Sequence, residues 1–109
     1  MFQYEISGGV ITSKKAITAY ATGGQANATV LNDTYNRIDT AAADNDSVKT
    51  KAAILNEPMF IANSSGFDIE VFPEDNKNFF GKAVNESIIL VDGNTLNLFP
   101  FEDSQYTIM

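Results

Sequence analysis

The sequence predicts an all-β domain, a small antiparallel sandwich or barrel of short strands with at most one short helix. Three observations carry this. Apolar and polar residues alternate with period two in several runs, as in Phe2-Gln3-Tyr4-Glu5-Ile6 and Phe67-Asp68-Ile69-Glu70-Val71, which puts the apolar side chains on one face of an extended chain. Eleven Asn, spread from Asn27 to Asn97, join seven Gly and many Asp and Ser to break the chain about every eight to twelve residues, the spacing of short strands and turns. Finally, Ser87-Ile88-Ile89-Leu90-Val91 is separated from Asn94-Thr95-Leu96-Asn97-Leu98-Phe99 by Asp92-Gly93, a pair that accommodates the positive φ angles of a type I′ turn and so predicts a C-terminal hairpin.

The remaining strands follow in order. After the first alternating run, residues 16–21, 29–31, 37–41, 47–49 and 59–62 are each short, apolar or β-branched and bounded by turn formers. Residues 105–109 close the set. Pro58, Pro73 and Pro100 stand at or near the ends of runs, where a missing amide proton is tolerated. Ala41-Ala42-Ala43 and residues 51–55 have the composition of a helical turn and supply the one short helix. No fixed-period repeat or heptad is visible, so neither a solenoid nor a coiled coil is expected.

With 109 residues and 11.9 kDa the chain is expected to be one domain over residues 1–109. Seven Lys+Arg against fourteen Asp+Glu leave a net charge of −7, and the pI is about 4.2, which opposes binding to a phosphate backbone. Nucleic acid is not an expected partner. At 44% hydrophobic and 19% charged residues, the chain has the means to bury a core. A small domain without disulfides gains stability by oligomerising, so a partner subunit is expected. The longest apolar runs, such as Ile88-Ile89-Leu90-Val91, are too short to cross a bilayer, and the first residues lack a basic region followed by an apolar stretch. The expectation is a soluble, unprocessed chain with no membrane partner.

The sequence has no Cys, no His and no Trp. Missing imidazole removes the usual general base near neutral pH, and missing Cys and His removes the usual zinc ligands. Asp44-Asn45-Asp46-Ser47 places oxygens at alternate positions as a calcium loop does, but lacks its central glycine and terminal glutamate, and is read as a turn. Glu74-Asp75-Asn76 after Pro73 is ordinary turn chemistry. No Ser elbow is present, and Lys14-Lys15 reads as a solvated strand end. Gly8-Gly9 and Gly23-Gly24 lack phosphate-loop spacing. Five Asn-x-Ser/Thr triplets, at Asn27, Asn32, Asn45, Asn63 and Asn85, are read as turns. The expectation is therefore a protein that is not an enzyme, with no cofactor, no metal and no catalytic residue.

Eight Phe exceed what one small core absorbs. Phe79-Phe80 and the Phe99-Pro100-Phe101 segment are expected to set neighbouring aromatics on opposite faces, turning one of each outward. Either the sheet is buried on both sides or these residues form a subunit interface, for which the candidates are Phe2, Tyr4, Ile6, Phe79, Phe80, Phe99 and Phe101.

Taken together, Ala16-Ile17-Thr18-Ala19-Tyr20 leading to Gly23-Gly24-Gln25, then Asn36-Arg37-Ile38-Asp39-Thr40, Asp46-Ser47-Val48-Lys49 and Val71-Phe72-Pro73, carry a resemblance over residues 17–99. In the order and spacing of these motifs the chain resembles small structural and hypothetical proteins of tailed bacteriophages. It departs from their pattern at Thr50-Lys51, where a proline is usual, and at Asn76-Lys77-Asn78-Phe79-Phe80-Gly81. The resemblance implies a virion component that decorates or cements the capsid, made in the host cytoplasm and located on the capsid surface. Its partner would be the major capsid protein or another virion protein. Capsid symmetry suggests a homotrimer, and residues 1–22 are the candidate docking segment. The alternative is a receptor- or glycan-binding tip of a head or tail fibre using Tyr20, Tyr35 and loop Asn and Asp, which the lack of Trp weakens. A small hydrolase using two carboxylates is the third.

Overall fold

A computed structural model describes residues 5–6 and 9–109, with side chains from Ile11 onward. Among these residues there are strands and no helix. A short pair, β1 (Glu5–Ile6) and β2 (Gly9–Val10), comes first. Then follow β3 (Ser13–Thr18), β4 (Thr29–Leu31), β5 (Tyr35–Thr40), β6 (Ser47–Thr50), β7 (Met59–Asn63), β8 (Ile69–Phe72), β9 (Ile88–Leu90), β10 (Thr95–Glu102) and β11 (Gln105–Ile108).

These nine strands form two mixed sheets, one ordered β11-β10-β7-β5-β3 and the other β4-β6-β8-β9. From β3 to β8 the chain alternates between the sheets, so each strand lies parallel to the strand two before it. The fold is thus a flattened coil closed at one end by antiparallel strands. The all-β class agrees with the sequence, but the antiparallel expectation gives way to mixed sheets. Parallel neighbours need a long return, and here the return is itself a strand of the opposite sheet. Partners such as Ser13 and Tyr35, Tyr35 and Phe60, Thr29 and Val48, or Val48 and Val71 are separated by 22, 25, 19 and 23 residues. That variation hides the coil from a search for a fixed period, which is why no solenoid is legible in the sequence.

The Asp92-Gly93 hairpin is also corrected. β9 pairs with β8 and β10 pairs with β7 and β11, so the turn carries the chain from one sheet to the other. Asn94 N donates to Val91 O at 3.1 Å, and Gly93 has φ 87° while Asp92 is not in the positive-φ region. One positive φ at the third position is the signature of a type II turn, which does not supply the twist that favours a two-residue hairpin. The C-terminal hairpin is instead β10–β11, turning at Asp103-Ser104, where Ser104 has φ 69°.

No helix forms at the Ala-rich stretches because side-chain carboxylates take their amides, a nearby one at the first and a distant one at the second. Ala42 N and Ala43 N donate to the buried Asp46 carboxylate at 2.6 and 3.3 Å, and Leu55 N donates to Asp103 Oδ1 at 2.8 Å. These side-chain hydrogen bonds override a weak local preference.

The core lies between the sheets. Ile38, Met59, Ile61 and Leu98 from the five-stranded sheet meet Leu31, Val48, Ile69, Val71 and Leu90 from the other. Burying each such side chain contributes about 1.5–3 kcal/mol. Corner bonds hold the coils in register. Asp44, Asp68 and Asp92 stand 24 residues apart, and Asp68 N donates to Asp44 Oδ1, then Asp92 N to Asp68 Oδ1, both at 3.0 Å. Asn63, buried at the end of β7, donates from Nδ2 to Phe67 O at 2.7 Å and Leu90 O at 2.8 Å. Gly23 passes so close to the next coil that a Cβ there would lie 2.7 Å from Asn45 O.

Candidate binding face

Strand parity decides which side chains leave the core. In β5, Asn36 and Ile38 point inward and are buried, so Tyr35, Arg37 and Asp39 lie on the outer face of the five-stranded sheet. The same parity turns Phe60 and Ala62 of β7, and Thr95, Asn97, Phe99 and Phe101 of β10, to that side. Parallel register sets Tyr35 beside Phe60, and their rings stack at 4.9 Å with planes 13° apart. Phe99 and Phe101 pack at 4.8 Å with planes tilted by 50°.

Two concavities open on or beside this face. The larger, about 600 Å³, runs over β3, β5 and β7 and is lined by Lys14, Lys15, Tyr35, Arg37 and Phe60 among others. Three of the chain's seven cations therefore meet at a stacked aromatic pair, in a protein of net charge −7. The smaller, about 300 Å³, lies over the β10–β11 end between Phe80, Phe101, Glu102, Gln105 and Thr107. Phe80 and Phe101 are 65% and 63% exposed, an unusual setting for phenyl rings.

Asp39 pins the first groove in place. Its carboxylate takes a two-pronged contact from Arg37 at 2.7 and 3.1 Å, the Ser64 hydroxyl at 2.5 Å and the Ala16 amide at 2.7 Å. Hydrogen bonds from Arg37, then from Ser64, hold this carboxyl well below the usual carboxylate range. The contribution is complete above the ordinary Asp pKa and is lost as pH falls towards the depressed one. The bond to Ala16 also fixes the irregularity in β3, where Ala16 has φ 60°.

Of the interface candidates, Phe80, Phe99 and Phe101 lie at the β10–β11 end of the molecule. Phe79 is fully buried in the core and is not a surface residue. Phe99 and Phe101 do not take opposite faces, because two residues of separation returns a strand to the same side, and it is Pro100 between them that is buried. Phe2 and Tyr4 lie outside the described residues, as does the side chain of Ile6. Tyr20 bridges to Ser47 away from this face. The pairing of Tyr35 with Phe60 is not legible in the sequence, since nothing local announces a parallel register across 25 residues.

The acidic turns serve the fold. Asp46 caps the amides of residues 42 and 43, and Asp75 pairs with Lys49 at 3.0 Å. Among the described residues no three His, Cys, Asp or Glu side chains converge as metal ligands, and no helix is long and apolar enough to cross a membrane. No protein-family profile, no curated protein and no solved structure matches this chain.

Proposed function

We propose that this chain is a structural protein of a tailed-bacteriophage virion that decorates or cements the capsid and works by docking rather than by catalysis. The observation that carries the proposal is the outer face of the five-stranded sheet, which presents two aromatic pairs, Tyr35–Phe60 and Phe99–Phe101, while the core lies on the other side. A sheet already buried on one face that presents aromatics on the other is suited to association. The motif resemblance over residues 17–99 supplies the virion context.

The test is co-sedimentation of the purified chain with capsids lacking it, with capsid disruption followed against temperature. Saturable binding that raises the disruption temperature, and that Tyr35→Ser or Phe101→Ser weakens, supports the role. No binding to capsids of a phage that encodes the chain overturns it.

One observation favours a second reading, a glycan-binding fibre tip: the stacked Tyr35–Phe60 pair beside Arg37 and Lys14 is a platform of the kind sugar rings lie on. A glycan-array signal abolished by Tyr35→Ala, with no capsid binding, would select it.

A further inference from the structure

We infer that the outer face of the five-stranded sheet pairs with the same face of a second copy of this chain about a two-fold axis. The Lys14, Lys15 and Tyr35 groove of each copy receives the Phe101–Glu102 end of the other. This deepens the docking reading by naming one partner of the face.

Charge is the first reason. In a chain of net charge −7, most surfaces repel a second copy, yet this face carries Lys14 and Lys15 towards its β3 edge and Glu102 towards its β10–β11 edge. Opposite signs at opposite ends of one face make that face self-complementary. An interface between identical patches requires this, since residue i meets residue j in both directions. A two-fold axis lying along the face exchanges its two ends, so both junctions form together.

Apolar surface is the second. Phe101 stands 63% exposed at one end, and at the other the Tyr35–Phe60 stack floors a groove of about 600 Å³. An exposed phenyl ring and an aromatic-floored groove are complementary in shape and in chemistry, and burying both removes the largest apolar exposure of the sheet.

Size is the third. Five strands at about 4.8 Å spacing and about 20 Å length present about 500 Å² in projection, and side-chain relief raises this towards the about 800 Å² per partner of a standard interface. The molecule measures 36 × 36 × 21 Å, so a sheet face is its broad side. An interface of this size is expected to dissociate on dilution.

The experiment is solution mass by light scattering over a dilution series from several hundred micromolar to below one micromolar, without capsids present. The wild type should fall from about 24 kDa, twice 11.9 kDa, to one copy. Lys14→Glu/Lys15→Glu and Glu102→Lys should each weaken pairing at least tenfold, and an equimolar mixture of the two variants should restore it, because each then offers the other complementary ends. Near-UV circular dichroism of each variant alone separates lost pairing from lost folding, and Phe101→Ser tests the apolar contact without touching charge. A wild type that is monomeric throughout, a mass of three copies, or a mixture that fails to pair overturns the proposal. A dimer that ignores capsids keeps the pairing and fails the virion role. A monomer that binds capsids does the reverse.

Discussion

Tyr106 is buried, and its hydroxyl has no hydrogen-bond partner among the described residues; the Thr50 hydroxyl, at the same cavity of about 10 Å³, has none either. Desolvation, reinforced by the charges of Glu57 and Glu74, pushes the phenol up to about 12. An acid whose folded pKa is raised stabilises the fold fully below its unfolded value near 10, and that contribution is lost as pH rises from there towards 12. Tyr106→Phe removes the unpaired hydroxyl, so it should raise stability by up to about 1 kcal/mol at pH 7. Urea midpoints should show that advantage growing between pH 10 and 12. Asn63 is the opposite case, because every polar atom of its amide is engaged. Asn63→Leu keeps the branched shape but removes the partner of Leu90 O and of Ser65 N and leaves Phe67 O only the Ser65 hydroxyl, and should cost about 2–4 kcal/mol, read as a lowered urea midpoint with unchanged slope. The sequence shows Asn63-Ser64-Ser65 only as a turn or a glycan acceptor. Its buried amide is a long-range fact, since the carbonyls it serves belong to a loop and to β9.

At the level of strands, the sequence was legible where the cause is local. Period-two alternation and turn formers mark β4 at residues 29–31, β7 from residue 59 and β11 from residue 105, as the structure has them. Pairing was not legible, because alternation is the same whether a half-buried strand has a parallel or an antiparallel neighbour. The Asp92-Gly93 turn shows the difference. Its residues specify a tight turn, but Asp92 Oδ1 accepts from Gly66 N at 2.9 Å and Gly93 N donates to Asn63 O at 2.8 Å, and these bonds tie it to the β7–β8 corner. The turn therefore directs the chain across the core. Gly93→Ala leaves the contacts intact, since no atom lies within 4 Å of an added Cβ, yet imposes a side chain at φ 87°. It should lower stability by about 1 kcal/mol, detected as a lower thermal midpoint, with the near-UV spectrum unchanged.

For the molecule as a whole, the binding face follows from winding. Each circuit of the coil contributes outward aromatics or cations to the five-stranded sheet, Lys14 and Lys15 from the first, Tyr35 and Arg37 from the second and Phe60 from the third, before β10 adds Phe99 and Phe101. Side chains scattered over 88 residues of sequence thereby share one surface, which is why Phe60 could not be suspected from the sequence, whereas Phe80, Phe99 and Phe101 could be, together with Phe79, which the structure buries in the core. The coil also separates two candidate docking elements that the sequence joined, the first residues and the aromatic face. Both large sheets are built from strands β3 to β11, which begin at Ser13, so residues 1–9 supply no strand to either. Removing residues 1–9 should therefore leave the near-UV spectrum intact and shift the thermal midpoint by less than about 4 °C, the equivalent of under about 1 kcal/mol. Capsid co-sedimentation of the same truncated chain then divides the roles. Retained binding that Phe101→Ser abolishes assigns docking to the sheet face, whereas binding lost with the fold intact assigns it to the first residues. A truncated chain that unfolds would instead make those residues part of the coil's closure at β3.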